Sequence, residues 1–240
     1  SVMLAEAQRT LGGRVTREAR LPGLSEWARV RDWRVGQLDK LNTVEIFLES
    51  PMTAPDIIEL GVDHVIFATG SRWSADTVGR HSATGLIKEM PGRLISLEAV
   101  LGGQSIDAEH VLIYDDDHYY IGSVAALALR AAGHRVTLVT PAGRPCEFGV
   151  YTGEIYSSNA RLFEAGVEVV TNQQIIAVED GLVRTECSMS GRAGTLDCDV
   201  MIPVCRRVPV TDVHAALTEL SINDPAGAAA SIRSVSRIGD

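Results

Sequence analysis

The chain has 240 residues, 45% of them hydrophobic and 22% charged, with a formal net charge of −9. That is the composition of a soluble globular protein of one or two domains, and its negative charge disfavours nucleic acid or an anionic membrane as partner. No apolar run approaches the ~20 residues that span a bilayer, and the opening SVMLAEAQRT lacks the basic start and long apolar core of a signal peptide, so a cytoplasmic location is expected.

Taken in chain order, Val2 to Ala7 reads as a short strand ending at Glu6, followed by the glycine-rich turn RTLGGRV. LPGLSEWARVRDWRVGQLDKL reads as a helix opened near Pro22–Gly23, with Leu24, Trp27, Val30, Val35 and Leu38 at roughly helical spacing; Trp27 and Trp33 are assigned to the core. VEIFLES is a strand, TAPDIIELG a short helix from a Thr53 cap to Gly61, and DHVIFATGS a buried strand running into a small-residue turn. A looser segment from Arg72 to Glu109 precedes HVLIYDDDHYYIGSVAALALRAAGHRVTLVT, which reads as strand, turn, apolar helix closed by Gly133, and strand. SSNARLFEAGVEVVTN is helix, Gly166, strand. A β-meander follows with turns at Asp180–Gly181 and Gly191–Gly194, closing on a buried strand at Val200 to Val204. VTDVHAALTEL is helix and SVSRIGD a strand that stops at Asp240. Alternating strand and helix implies βαβ crossovers and parallel sheets. Two such passages predict two nucleotide-type domains, the second nested in the first: 1–103, 104–210, and a return helix and strand over 211–240.

Three motifs carry chemistry. In a dinucleotide fold, an acidic residue at the end of the second strand accepts hydrogen bonds from the adenosine ribose and repels a 2′-phosphate; Glu6 fits. Gly12 and Gly13 would let backbone amides approach a pyrophosphate, with Arg14 adding charge. Ala68-Thr69-Gly70 brings backbone to the carboxyl edge of a sheet, and Gly239–Asp240 presents a carboxylate to a polyol chain. In this order the three favour a flavin or adenine-nucleotide site.

The unit at 110–140 has the shape of a second nucleotide site, but Asp115, Asp116 and Asp117 stand where a dianion should sit, each repulsion on the order of 1 kcal/mol at an effective dielectric of ~20. Only Gly122 survives, for close helix–strand packing. DDDHYY reads as a charged helix N-terminus, as a divalent-metal site of Asp115, Asp117 and His118, or as a docking surface through Tyr119 and Tyr120. Arg206–Arg207 reads as a solvated pair or a phosphate contact, and Trp73 as closing a domain seam or packing on a ligand. The histidines show no triad or metal spacing, and Cys146, Cys187, Cys198 and Cys205 read as plain buried thiols.

LGGRVTREARLPGLSEWARVRDWR, ESPMTAPDIIELGVDHVIFATGSRW and YDDDHYYIGS resemble the C-terminal half of the trimethylamine, dimethylamine and histamine dehydrogenases, of the NADH:flavin oxidoreductase (2,4-dienoyl-CoA reductase-like) group. The resemblance runs from end to end. It implies a doubly wound parallel α/β sheet of the FAD/NAD(P)-binding type, its first strand absent from this chain, with a nested NAD-like Rossmann domain. It implies ADP, or FAD as in the reductases, held by Glu6 at the ribose, by Gly12, Gly13, Arg14 and Arg31 at the phosphates, by Met52 against the adenine, and by Ala68, Thr69, Gly70, Gly239 and Asp240 around the site. It further implies a preceding barrel with covalent FMN and a 4Fe-4S cluster, oxidation of a small amine there, a protein electron acceptor, and a homodimer. No catalytic residue is expected in this stretch, and the missing strand would leave a sheet edge open. Two other readings stand beside it: the FAD domain of an NAD(P)H-dependent reductase, and a metal-dependent nucleotide-sugar transferase using Asp115 and Asp117.

Overall fold

The computed structural model describes residues 1–83, 93–179, 182–223 and 231–239. The expected turn at Asp180–Gly181 and the terminal Asp240 lie outside these residues. The chain divides into two compact units. One comprises Ser1–Ala19, Leu24–Arg72 and Pro209–Asp240; the other comprises Arg20–Gly23 and Trp73–Val208. The chain thus leaves the first unit at Arg72, whereas the sequence reading placed that division after Gly103. The physical reason is local: Trp73 donates its N–H to Glu98 Oε1 (2.9 Å) and its carbonyl accepts from Ser96 Oγ (2.8 Å), which ties it to the second unit's own helix.

The first unit begins with β1 (Val2–Ala5), α1 (Gly13–Glu18), a 3₁₀ turn at Ser25–Trp27, α2 (Ala28–Leu38), β2 (Val44–Phe47), α3 (Ala54–Glu59) and β3 (His64–Phe67). The glycine-rich segment is therefore not all turn: Gly12 takes φ 113 ahead of the helix, a conformation that glycine adopts without the penalty of a Cβ. The helix expected from Pro22 starts only at Ala28, because Gly23 (φ 82) turns the chain first. Trp27 and Trp33 are 46% and 65% exposed, so the core reading of both is corrected: α2 buries none of its residues. α3 is opened by a capping box, Thr53 Oγ1 accepting from the Asp56 N–H while the Asp56 carboxylate accepts from the Thr53 N–H.

The chain crosses through β4 (Ser71–Trp73) into α4 (Leu97–Leu101), β5 (His110–Asp115), α5 (Tyr120–Ala131), β6 (Arg135–Val139), α6 (Ile155–Glu164), β7 (Glu168–Val170), β8 (Gln173–Glu179), β9 (Leu182–Cys187), β10 (Ala193–Asp197) and β11 (Val200–Val204). It returns through β12 (Arg207–Pro209) to α7 (Asp212–Asn223) and β13 (Ser234–Arg237).

The second unit is built on a parallel sheet of order β11-β5-β6-β7. β5 and β11 are buried along their whole length, as continuous apolar runs covered on both faces should be. The antiparallel meander β8-β9-β10 packs Ile175, Val183 and Leu196 against Leu112, Tyr114 and Met201. In the first unit β1 pairs parallel with β2, and β3 parallel with β13. Its core joins α3, β3 and α7 through Ala54, Ile57, Phe67 and Leu217.

Candidate functional site

In the first unit, the register Ala5↔Phe47 sends Glu6 and Leu48 off the same sheet edge. The Glu6 N–H donates to Phe47 O (2.8 Å) and its carbonyl accepts from the Ser50 N–H (2.9 Å). The Glu6 carboxylate takes the Gln8 N–H at 2.9 Å, which fixes the side chain at the strand end with lone pairs to spare. Two residues past Ser50, Met52 packs on the core around Phe67. Gly12 is backed by Arg31: a Cβ there would stand 2.7 Å from Arg31 Cγ and Cδ and 2.5 Å from Thr16 Oγ1, while one on Gly13 would meet nothing. Arg31 Nη1 reaches Thr16 Oγ1 at 3.4 Å, and Arg14 lies 3.5 Å from Glu18.

At the other strand pair, Phe67↔Arg237 puts Ala68–Gly70 beside Ile238–Gly239, with the Ile238 N–H donating to Phe67 O (3.0 Å). Gly70 and Gly239 both take positive φ, 67° and 91°. Thr69 Oγ1 donates to Val210 O at 2.5 Å and the Val210 N–H donates to Gly70 O at 2.9 Å, so this turn is tied to the segment entering α7. The expected residues thus fall into three local groupings: Glu6 with Ser50–Met52, Gly12 with Arg31, and Ala68–Gly70 with Gly239. Gly12 is thus required where the chain packs against Arg31 and Thr16, and Glu6 closes the strand that leads into the same connection. Those features fit the ADP moiety that a nucleotide and FAD share.

The second unit has its own crevice. From β5 the chain runs through α5 to β6 and α6 to β7 on one side, then returns by the meander to β11 on the other. The carboxyl ends of β5 and β11 are therefore a topological switch point, where open α/β sheets take ligands. DDDHYY sits there, and not as read. Asp115 closes β5, α5 begins at Tyr120, and its first turn carries no acidic residue; the helix N-terminus reading of the aspartates is corrected. Asp115 and Asp116 are fully buried. The N–H groups of Asp116 and Asp117 both donate to Val204 O at 3.0 Å.

His81 and His118 converge on Asp116. His81 Nδ1 is 2.6 Å and His118 Nε2 3.2 Å from Asp116 Oδ1, and the His81 N–H donates to Oδ2 at 2.9 Å. Burial would raise the Asp116 carboxyl, but the hydrogen bonds from His118 and His81 outweigh it and hold it below its ordinary value. Asp115 has no such partner: burial, against the N–H bonds of His118 and Asp117, pushes it up to about 7. Asp117 is raised by burial, with Arg80 opposing. His118 has φ 66, which costs a non-glycine residue about 1–2 kcal/mol. Among the described residues the metal-capable group is His81, Asp116 and His118, which replaces the expected Asp115, Asp117 and His118. The histidines show no triad or metal spacing along the sequence, yet the fold brings His81 and His118 to one carboxylate. Residues 35 apart gave no local signal.

Tyr119 is 47% exposed and rests edge-on against Phe148. Arg206 pairs with Asp76, and Arg207 lies over the Trp73 ring, so these arginines are not a free solvated pair. Cys146, Cys198 and Cys205 are buried free thiols, and Cys187 is a partly exposed one.

No family model matches the chain. It is 34% identical over 194 residues to dimethylamine dehydrogenase of Hyphomicrobium sp. (strain x), a match covering 76% of this chain and 26% of that protein. The structure of histamine dehydrogenase from Rhizobium sp. 4-9 superposes with a TM-score of 0.93 at 35% identity, covering 99% of this chain and 36% of that one. The chain is homologous to a portion of the dimethylamine and histamine dehydrogenases. The 6-hydroxypseudooxynicotine amine oxidase of Pseudomonas geniculata N1 is similar again, with a TM-score of 0.91 at 34% identity over 99% of this chain and 35% of that one. The chain spans about a quarter to a third of these relatives, in keeping with a C-terminal part. Its fold is of the FAD/NAD(P)-binding kind, and its relatives are oxidoreductases.

Proposed function

We propose that this chain is the adenine-nucleotide-binding portion of an iron–sulfur flavoprotein that oxidises a small amine. Its ligand is ADP, bound alone or as the ADP half of FAD. The observation that carries this reading is the acidic strand end Glu6, its carboxylate held by the Gln8 N–H, followed on the same strand–helix connection by Gly12 at φ 113, a conformation that suits glycine. Glu6 accepts from the ribose hydroxyls; Gly12, Gly13, Arg14 and Arg31 meet the diphosphate; Met52 lies against the adenine; Ala68, Thr69, Gly70 and Gly239–Asp240 close the site. Oxidation takes place at FMN, with a 4Fe-4S cluster passing electrons to a protein acceptor; both centres belong to a barrel domain preceding this chain. The assembly is a cytoplasmic homodimer in this reading. Exposed Val2, Met3, Phe47 and Ile66 on the first unit's strands are the apolar surface that the rest of the polypeptide covers.

The test is the small molecule released when the natural polypeptide is denatured, identified by mass and absorbance. ADP or FAD is expected, and release of neither overturns the proposal. Glu6→Gln removes one charged acceptor and is expected to weaken retention by roughly tenfold or more, a loss of about 1.5 kcal/mol. In the same preparation, an amine should bleach the flavin and NADH should not, since the buried carboxylates of Asp115 and Asp116 occupy the second unit's crevice. Bleaching by NADH would move the protein to the reductases.

A further inference from the structure

We propose that the crevice at the carboxyl ends of β5 and β11 is a metal site, in which His81, Asp116 and His118 bind one divalent transition-metal ion of the zinc class. This goes beyond the nucleotide reading and does not depend on it, since it lies in the other unit. The donor set is two imidazole nitrogens and one carboxylate oxygen, the combination that zinc and its neighbours take. The three ligand atoms all lie within 4.8 Å of one another. Bonds of about 2.0–2.1 Å in a tetrahedron put donors roughly 3.3 Å apart. The His118 Nε2 to Asp116 Oδ1 separation is already 3.2 Å, so that edge needs no movement. The His81 Nδ1 to Oδ1 edge is 2.6 Å and must open, and the His81 side chain is the one able to move: it is 38% exposed while that of His118 is 4%.

The surroundings hold two of the ligands as metal sites do. Asp116 Oδ2 is pinned by the His81 N–H, which leaves Oδ1 for the ion. His118 is locked from three sides. Its N–H donates to Asp115 Oδ1 (3.1 Å), its carbonyl accepts from the Phe148 N–H (3.0 Å), and its ring stands edge-on to Phe148 at 5.5 Å. Its second ring nitrogen faces Thr140 Oγ1 at 3.5 Å, so the nitrogen aimed at Asp116 is the one free to ligate. Gly79 completes the wall: a Cβ there would collide with the Asp116 carboxylate and come 3.1 Å from Cys205 Cβ. The exposed edge of His81 is the side from which an ion would enter.

The experiment equilibrates the natural polypeptide with excess Zn²⁺ and measures bound zinc per chain by elemental analysis after dialysis, for wild type, His81→Gln and Asp116→Asn. One zinc per chain is expected beyond that retained by either variant, and each variant should bind it roughly a hundredfold more weakly, having lost one of three donors. His81→Gln changes a half-exposed side chain, so it decides the matter even if Asp116→Asn fails to fold. Equal zinc in wild type and His81→Gln, or none in folded wild type, overturns the site and leaves a hydrogen-bonded trio only.

Discussion

Strand β5 begins His-Val-Leu-Ile and strand β3 reads His-Val-Ile-Phe, yet every residue of β5 is buried whereas in β3 only Phe67 is. The difference lies in what surrounds them. β5 has β11 on one side and β6 on the other, with the meander packed against Leu112 and Tyr114. Among the described residues β3 has β13 as its one strand partner. Apolar sequence thus gives a strand the capacity to be buried, and its neighbours decide whether the capacity is used. Fully burying a side chain such as isoleucine stabilises by about 1.5–3 kcal/mol. The first unit therefore carries unused stabilisation at Val2, Ile66 and Ile238, which are 58%, 63% and 59% exposed.

The largest expected effect breaks the buried side of that comparison. Leu112→Ala, fully buried in the second unit's core, should cost about 3–4 kcal/mol in urea unfolding of the chain. Ile66→Ala should change stability by no more than about 0.5 kcal/mol in the same measurement, because it empties no cavity. If the same substitution costs about 1 kcal/mol or more in the natural polypeptide, Ile66 is covered there. Next comes Gly122→Ala. Its Cβ would stand 2.7 Å from Asp115 Cγ and Oδ2, so helix α5 must back away from β5. A loss of about 1–3 kcal/mol is expected, read as a drop in melting temperature. The glycine allows close packing between helix and strand, as the sequence suggested.

Much of the second unit was legible because its signals are local and redundant. The apolar runs at 110–115 and 200–204, the helix closed at Gly133, and the meander each follow from patterns a few residues long. The acidic strand end at Glu6 and the positive-φ glycines at Gly70 and Gly239 were legible for the same reason. What failed was of two kinds. Gly12–Gly13 hid the start of α1, since glycine is a poor helix former and nothing in RTLGGRV shows that the chain needs a left-handed residue there. DDDHYY misled because three carboxylates before a helix suggest its positive end, while the strand in fact runs to Asp115 and Asp116 turns inward to histidines. His81 lies 35 positions upstream, and only the folded sheet brings it to Asp116.

A smaller effect sharpens the comparison inside the first unit, where α3 is one of the few buried pieces. Thr53→Ala removes the capping hydroxyl that accepts from the Asp56 N–H and donates to its carboxylate (2.6 Å), and should cost about 1 kcal/mol. The hydrogen bonds from Thr53 hold the Asp56 carboxyl below its ordinary value. The sign follows: a depressed folded value means stabilisation present above the unfolded value of about 3.8 and lost as pH falls through the folded one. The cost of Thr53→Ala should therefore shrink in acid.

The smallest effect is expected where the two ends of the Trp73–Val208 segment meet. Arg206 makes a two-pronged pair with Asp76, Nε to Oδ1 at 3.2 Å and Nη2 to Oδ2 at 2.6 Å, and the side chains are 46% and 35% exposed. A pair so open to water is worth at most about 0.5–1 kcal/mol and is screened by salt. Asp76 also accepts the Val78 N–H, so Asp76→Ala alone would overstate the ion pair. A double-mutant cycle with Arg206→Ala isolates it. Burial opposes the charge on Asp76, but the Arg206 and Ser74 bonds and the Arg206 charge prevail and hold its carboxyl below 3.8. The coupling should be present at neutral pH and vanish as pH falls below the ordinary carboxylate range, with the two single variants then additive. A coupling that persisted in molar salt would mean that the pair is shielded from water in the protein measured.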